Sequence, residues 1–156
     1  MLSPSKHAVR GTKGFMAIEA TEARPRALLC GDAVERDAGG NAVLIGGRCA
    51  DCGACAFPRP PVCIGCMGEN IVAERLPRQG TLYAFSTVHI APKKWKKPMC
   101  IGYVDLEGGV RVFTHLAGGE FAIGDAVEVD IGTVGEDEAG AIECFVFKRQ
   151  NPGASK

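Results

Sequence analysis

The chain has 156 residues, and its 18 Lys and Arg balance 18 Asp and Glu, so the formal net charge is zero. That length suits one ordinary domain or two very small ones, and the balanced charge lacks the basic excess of a general nucleic-acid binder. Apolar residues make up 46% of the sequence, enough for a core, while 21 Gly and only 6% aromatics favour short strands and tight turns over long helices.

From the N-terminus, residues 1–15 are polar, basic and aperiodic and predict a disordered arm. No apolar stretch of signal-peptide length follows Lys6, Arg10 and Lys13. No run elsewhere approaches the ~20 residues that cross a membrane. The expectation is a soluble, cytoplasmic protein with no membrane partner. Residues 17–36 are rich in Ala and charge and predict short helical pieces broken near Pro25. Asp37 to Asn41 is a turn by composition, and Ala42–Ile45 a short strand. The boundaries that follow are an N-terminal extension over 1–41, a cysteine module over 42–76, a strand-rich domain over 77–149, and a tail over 150–156.

The strand-rich region holds five predicted strands: Leu82–Ile90, Cys100–Leu106, Val110–Leu116, Ala126–Ile131 and Ile142–Phe147. Glu107-Gly108-Gly109 is a three-residue hairpin turn. In Ala126–Ile131, Val127, Val129 and Ile131 face one way and Glu128 and Asp130 the other. An acidic turn is expected over Glu136–Gly140. Five short strands at turn spacings of eight to twelve residues predict a small barrel or sandwich, and five is the strand number of the OB barrel.

Eight cysteines are many for such a chain. Cys49 and Cys52 form one C-x-x-C turn, and after ten intervening residues Cys63 and Cys66 form another. Two such turns from facing hairpins complete a tetrahedron of thiolates, the usual closed structural zinc site. Four thiolates leave no open coordination position, so the expected ion is one structural Zn2+ per chain and not a catalytic one. A glycine after the second cysteine lets the turn curl with positive φ; Gly53 does this in the first turn, and Met67 takes that place in the second. An iron–sulfur cluster is the rival, since Cys55 extends the first pair to C-x-x-C-x-x-C, but Cys63 follows too late for a ferredoxin-type run. Cys30, Cys100 and Cys144 are isolated and expected to pack as small hydrophobes.

Gly47-Arg48-Cys49, Cys52-Gly53, Phe57-Pro58-Arg59 and Cys63 with Cys66 resemble the DUF35 family. Gly80-Thr81-Leu82-Tyr83, the run Ile123 to Val129 and the closing Phe145-Val146-Phe147-Lys148 do the same. The resemblance covers roughly residues 42–149 and departs at Met67 and in the extra Cys55. It implies a mostly β architecture: a small rubredoxin-like zinc ribbon, then a five-stranded, acyl-CoA-associated OB barrel, here behind short N-terminal helical segments. It also implies a non-catalytic companion of an acyl-CoA-converting enzyme, scaffolding a thiolase-fold catalytic subunit in a hetero-oligomer such as α2β2. Benzoylsuccinyl-CoA-type thiolases of anaerobic aromatic degradation are among the candidate partners.

The residues agree with a chain that is not an enzyme by itself. No G-x-S-x-G elbow, phosphate loop or dinucleotide fingerprint is present. Of three histidines, His7 lies in the basic arm, and His89 and His115 lie in predicted strands. Cys100 has no base at a readable spacing. The loop Lys93-Lys94-Trp95-Lys96-Lys97 groups four ammonium ions around an indole. It offers itself to the phosphates and adenine of coenzyme A, or else is a solvated loop tip. The runner-up function is a single-stranded nucleic-acid-binding ribbon and OB module, although zero net charge points away from a nucleic-acid partner; a stand-alone hydrolase or acyltransferase ranks third.

Overall fold

Asp37 starts the visible architecture by closing a turn. Its Oδ1 accepts the N–H groups of Gly39 and Asn41, each at 2.8 Å, and Gly40 takes φ +80°. This bend folds β1 (Val34–Arg36) antiparallel onto β2 (Ala42–Cys49). The computed structural model describes residues 30–150. Within them, the only helical piece is a single 3-10 turn, Gly31–Ala33. The expected helical segment therefore survives as one turn, because Val34 is buried and draws the next residues into a strand. The rest of that expectation, and the basic arm with His7, lie outside the described residues.

β2 is the centre of a four-stranded sheet. It pairs antiparallel with β1, with β3 (Cys55–Ala56) and with β4 (Ile71–Arg75). Its two glycines are required by crowding. A side chain at Gly46 would strike the Ala56 carbonyl, and one at Gly47 would strike Arg59 and Ile71.

The remaining strands are β5 (Gln79–Val88), β6 (Met99–Leu106), β7 (Arg111–Ala117), β8 (Ala126–Asp137) and β9 (Gly140–Arg149). They close a barrel in the order β5-β6-β7-β9-β8. All neighbours are antiparallel except β7 and β9, which run parallel. The predicted five-stranded barrel is thus the observed one. Strand alternation builds its interior: Leu82, Val104, Val112, Val127 and Phe147 are fully buried, and Val129 is 1% exposed. Leu44 and Leu76 from the ribbon side join the same cluster, so ribbon and barrel share one core. Phe57 and Phe145 meet edge-on across that seam at 5.4 Å.

Two expectations shift. The hairpin of β8 and β9 is longer than the predicted strands, and its turn is confined to Glu138 and Ala139. Gly132 and Gly135, which lie beyond the predicted strand end at Ile131, sit inside β8 with a bulge between Thr133 and Gly135. A Cβ at Gly135 would collide with the Lys94 carbonyl, so this glycine admits a neighbouring backbone. His89 lies one residue beyond β5 and is exposed. Among the described residues no helix is long and apolar enough to cross a membrane.

Candidate metal centre

The two C-x-x-C segments fold into near-identical knuckles. In the first, the Gly53 N–H donates to the Cys49 carbonyl at 2.9 Å, and the Cys49 N–H donates to Ala54 at 2.8 Å. In the second, the Met67 N–H donates to Cys63 at 3.1 Å, and the Cys63 N–H donates to Gly68 at 2.8 Å. Both turns need a residue with positive φ at the same place. Gly53 supplies +77°, and Met67 adopts +62°, the one described non-glycine residue in that region. Met67 therefore bears a left-handed conformation that a Cβ disfavours.

The Sγ atoms of Cys49, Cys52, Cys63 and Cys66 all lie within 4.8 Å of one another. Cys49 and Cys66 are 3.6 Å apart, and Cys52 and Cys63 are 3.4 Å apart. A tetrahedral zinc with bonds of about 2.3 Å has sulfur–sulfur edges of about 3.8 Å, so spacing and donor type both fit zinc. Electrostatics point the same way. The Cys66 and Gly65 N–H groups lower Cys63 to about 6. The Gly68 N–H favours the Cys66 thiolate, but the crowding thiols of Cys52 and Cys49 push that group up to about 12. The cluster accepts a first negative charge readily and resists a later one, which a dication at its centre relieves. Cys49 and Cys63 are buried, while Cys52 and Cys66 are exposed. Among the described residues this is the one group of His, Cys, Asp or Glu arranged to hold an ion. Cys55 stands apart, lining a cleft with Arg48 and Glu74.

The basic loop is more ordered than a loop tip needs to be. Trp95 pairs with Gly135, Lys96 N–H donates to Val134 at 3.0 Å, and Glu136 N–H donates to Lys94 at 2.7 Å. The indole stacks on His115 with centroids 5.8 Å apart, and the Lys94 Nζ lies 5.2 Å from its centre. Trp95 therefore anchors the loop to the barrel wall, while Lys93, Lys94, Lys96 and Lys97 stay exposed.

Sequence reasoning missed the cavity beside this loop, because its walls come from distant segments. It measures about 590 Å³ and is lined by Phe85, Met99, Leu116 and Phe121, with Lys96 among its wall residues. Cys100 and His115 also border it. However, Cys100 pairs with Leu116 and His115 with Ile101, so alternation sends the two side chains to opposite faces of the sheet. Burial raises the Cys100 thiol and lowers the His115 imidazole, so neither is tuned as half of a thiolate–imidazolium pair.

Two family profiles match in tandem: "ChsH2, rubredoxin-like zinc ribbon domain" over residues 36–72, and "ChsH2, C-terminal OB-fold domain" over 73–132. Benzoylsuccinyl-CoA thiolase subunit BbsA of Thauera aromatica is 38% identical over 112 residues, covering 70% of this chain and 78% of the relative. A DUF35 domain-containing scaffold protein of Methanocaldococcus jannaschii is 32% identical, covering 67% of this chain and 79% of its own length. The solved Ltp2-ChsH2(DUF35) aldolase shares the fold with a TM-score of 0.56 at 24% identity, over 69% of this chain and 84% of the matched one. By its tandem ribbon and barrel and by these relatives, the chain belongs to the DUF35 family.

Proposed function

We infer that this chain is a non-catalytic companion subunit of an acyl-CoA-converting complex, with one structural zinc held by Cys49, Cys52, Cys63 and Cys66. The observation that carries the reading is the 38% identity to a benzoylsuccinyl-CoA thiolase subunit across 70% of the chain. A thiolase-fold partner in the cytoplasm supplies the nucleophile and the acid–base groups, cleaving a 3-oxoacyl-CoA or a related thioester in an assembly such as α2β2. The separation of Cys100 from His115 supports placing the chemistry on the partner.

Coenzyme A presents phosphates that suit exposed ammonium groups, and of the lysines at 93, 94, 96 and 97, all exposed on one loop, Lys96 borders a cavity in the size range of small-ligand sites. Those lysines are the groups we assign to the coenzyme end of the substrate. The experiment is steady-state kinetics on the chain alone, the partner alone and the reconstituted pair. Turnover should require the partner chain. Replacing the four lysines with Ala should raise the KM for acyl-CoA by about tenfold, since each exposed contact contributes roughly 0.2–1 kcal/mol, and added salt should shrink that effect. Turnover by this chain alone defeats the companion reading. An unchanged KM at low salt leaves the loop as a solvated tip.

One observation favours a second reading, single-stranded nucleic acid. Tyr83, Tyr103 and Phe113 are exposed on the barrel's outer face, the last two 5.2 Å apart, with the Arg111 guanidinium 3.4 Å over Tyr83. Such platforms stack bases. Tight, salt-sensitive binding of oligonucleotides, lost in Tyr103→Ala, would transfer the assignment to this reading.

A further inference from the structure

Two cysteines that are isolated in the sequence meet in space, away from the metal-type cluster. Cys144 on β9 is 8% exposed and packs with Val134, Ile142 and Val146 on the outer side of the barrel. Cys30, which caps η1, is partly exposed and packs against that same cluster. It also touches the main core, so it sits on the seam between the two apolar clusters. The two cysteines thus share one apolar cluster, and Cys30 is near enough to Cys144 to help keep its thiol protonated. The other cysteines are engaged elsewhere: four converge on the knuckles, Cys55 lines the ribbon cleft, and Cys100 borders the cavity at the barrel end.

We propose that Cys30 and Cys144 are an oxidisable pair that closes into an intramolecular disulfide when the protein meets a peroxide. Cys30 is the accessible partner. Its thiolate attacks one peroxide oxygen, the O–O bond breaks, and the departing oxygen leaves as water, so Cys30 becomes a sulfenic acid. The Cys144 sulfur then attacks the Cys30 sulfur. The S–S bond forms, the S–O bond breaks, and the sulfenic oxygen leaves as a second water with the proton from Cys144. The two thiols together give up two electrons, and hydrogen peroxide is reduced to two waters.

The environment of Cys144 fits the resolving role. Burial first, and the Cys30 thiol second, push Cys144 up to about 12, so Cys144 stays a thiol and the first attack on peroxide falls to Cys30. Because both side chains lie in one apolar cluster, closure asks only that the sulfurs approach to bonding distance within it. The bond would tie residue 30, where residues 1–29 join the described part, to β9. It would also enclose the whole ribbon and most of the barrel in one covalent loop, which restricts the unfolded chain.

The test uses the full-length, zinc-loaded chain. Wild type and Cys30→Ser are treated with a few equivalents of hydrogen peroxide, alkylated, digested and mapped by mass spectrometry, with zinc measured in parallel. The expected result is loss of two hydrogens from wild type, one linked peptide joining Cys30 to Cys144, reversal by dithiothreitol, and zinc retained. Cys30→Ser, altered at a partly exposed site, should fold, keep its zinc and form no linked peptide. Recovery of Cys30 and Cys144 both alkylated after oxidation overturns the proposal. So does oxidation that first consumes the knuckle cysteines and releases zinc, or that joins two chains through Cys30.

Discussion

The barrel buries Leu82, Val104, Val112, Val127 and Phe147 completely, whereas the knuckle half of the ribbon leaves Ile64 74% exposed and Met67 75% exposed. In that half the deeply buried side chains are Cys49 and Cys63, two of the four cysteines placed so that they could hold an ion. Size explains the contrast. The few residues between two C-x-x-C turns cannot remove enough apolar surface from water to offset the ordering of their backbone. The barrel has five strands whose alternating residues fill a common interior. On the proposed reading one region depends on an ion and the other on packing, although Leu44 and Leu76 join them in one cluster.

Chelation is the strongest test of that contrast. Structural zinc contributes on the order of 10–16 kcal/mol in small peptides, more than most whole domains retain. Removing the metal, or making Cys52→Ser, should abolish amide-exchange protection at Gly53 and Met67 while amides of β6 remain protected. Cys55→Ser should keep the ion. Equal loss of protection in knuckles and barrel would show that the two regions are one cooperative unit.

The reverse perturbation is smaller. Phe147 is fully buried, and Phe→Ala in a core costs about 3–5 kcal/mol. Phe147→Ala should lower the denaturant midpoint of the barrel strands while zinc content per folded chain is unchanged; metal loss before barrel unfolding would contradict the division.

The smallest effect is a pH dependence confined to the barrel wall. His115 is half-buried against Trp95, and burial lowers its pKa below the ordinary 6.5. The unfolded chain then takes up the proton first, so this site costs stability as pH falls below about 6.5 and nothing well above it. His115→Gln should flatten the melting temperature between about pH 7 and pH 5 relative to wild type, zinc content being matched. Parallel curves for the two proteins would exclude a titrating role.

The sequence made some of this legible for a physical reason. Ligand spacing in the knuckles is local, so two C-x-x-C turns disclose a tetrathiolate before any fold is known. The alternation in Ala126–Ile131 is equally local, and Val127 and Val129 are buried as it implies. What stayed hidden depends on partners far along the chain. Gly135 falls outside every predicted strand until the Lys94 carbonyl is found against it. Trp95 reads as a free ring until His115 is found beneath it. Cys30 and Cys144 read as unrelated until β9 brings them together.

A division of labour between this chain and a catalytic partner is the centre of the proposed function, and native mass spectrometry of the complex drawn from its own cells tests that division directly. The predicted result is an assembly containing this chain, one zinc ion per copy, and a thiolase-fold chain in fixed stoichiometry. A chain that emerges without a catalytic partner, or carrying bound single-stranded nucleic acid, would contradict it.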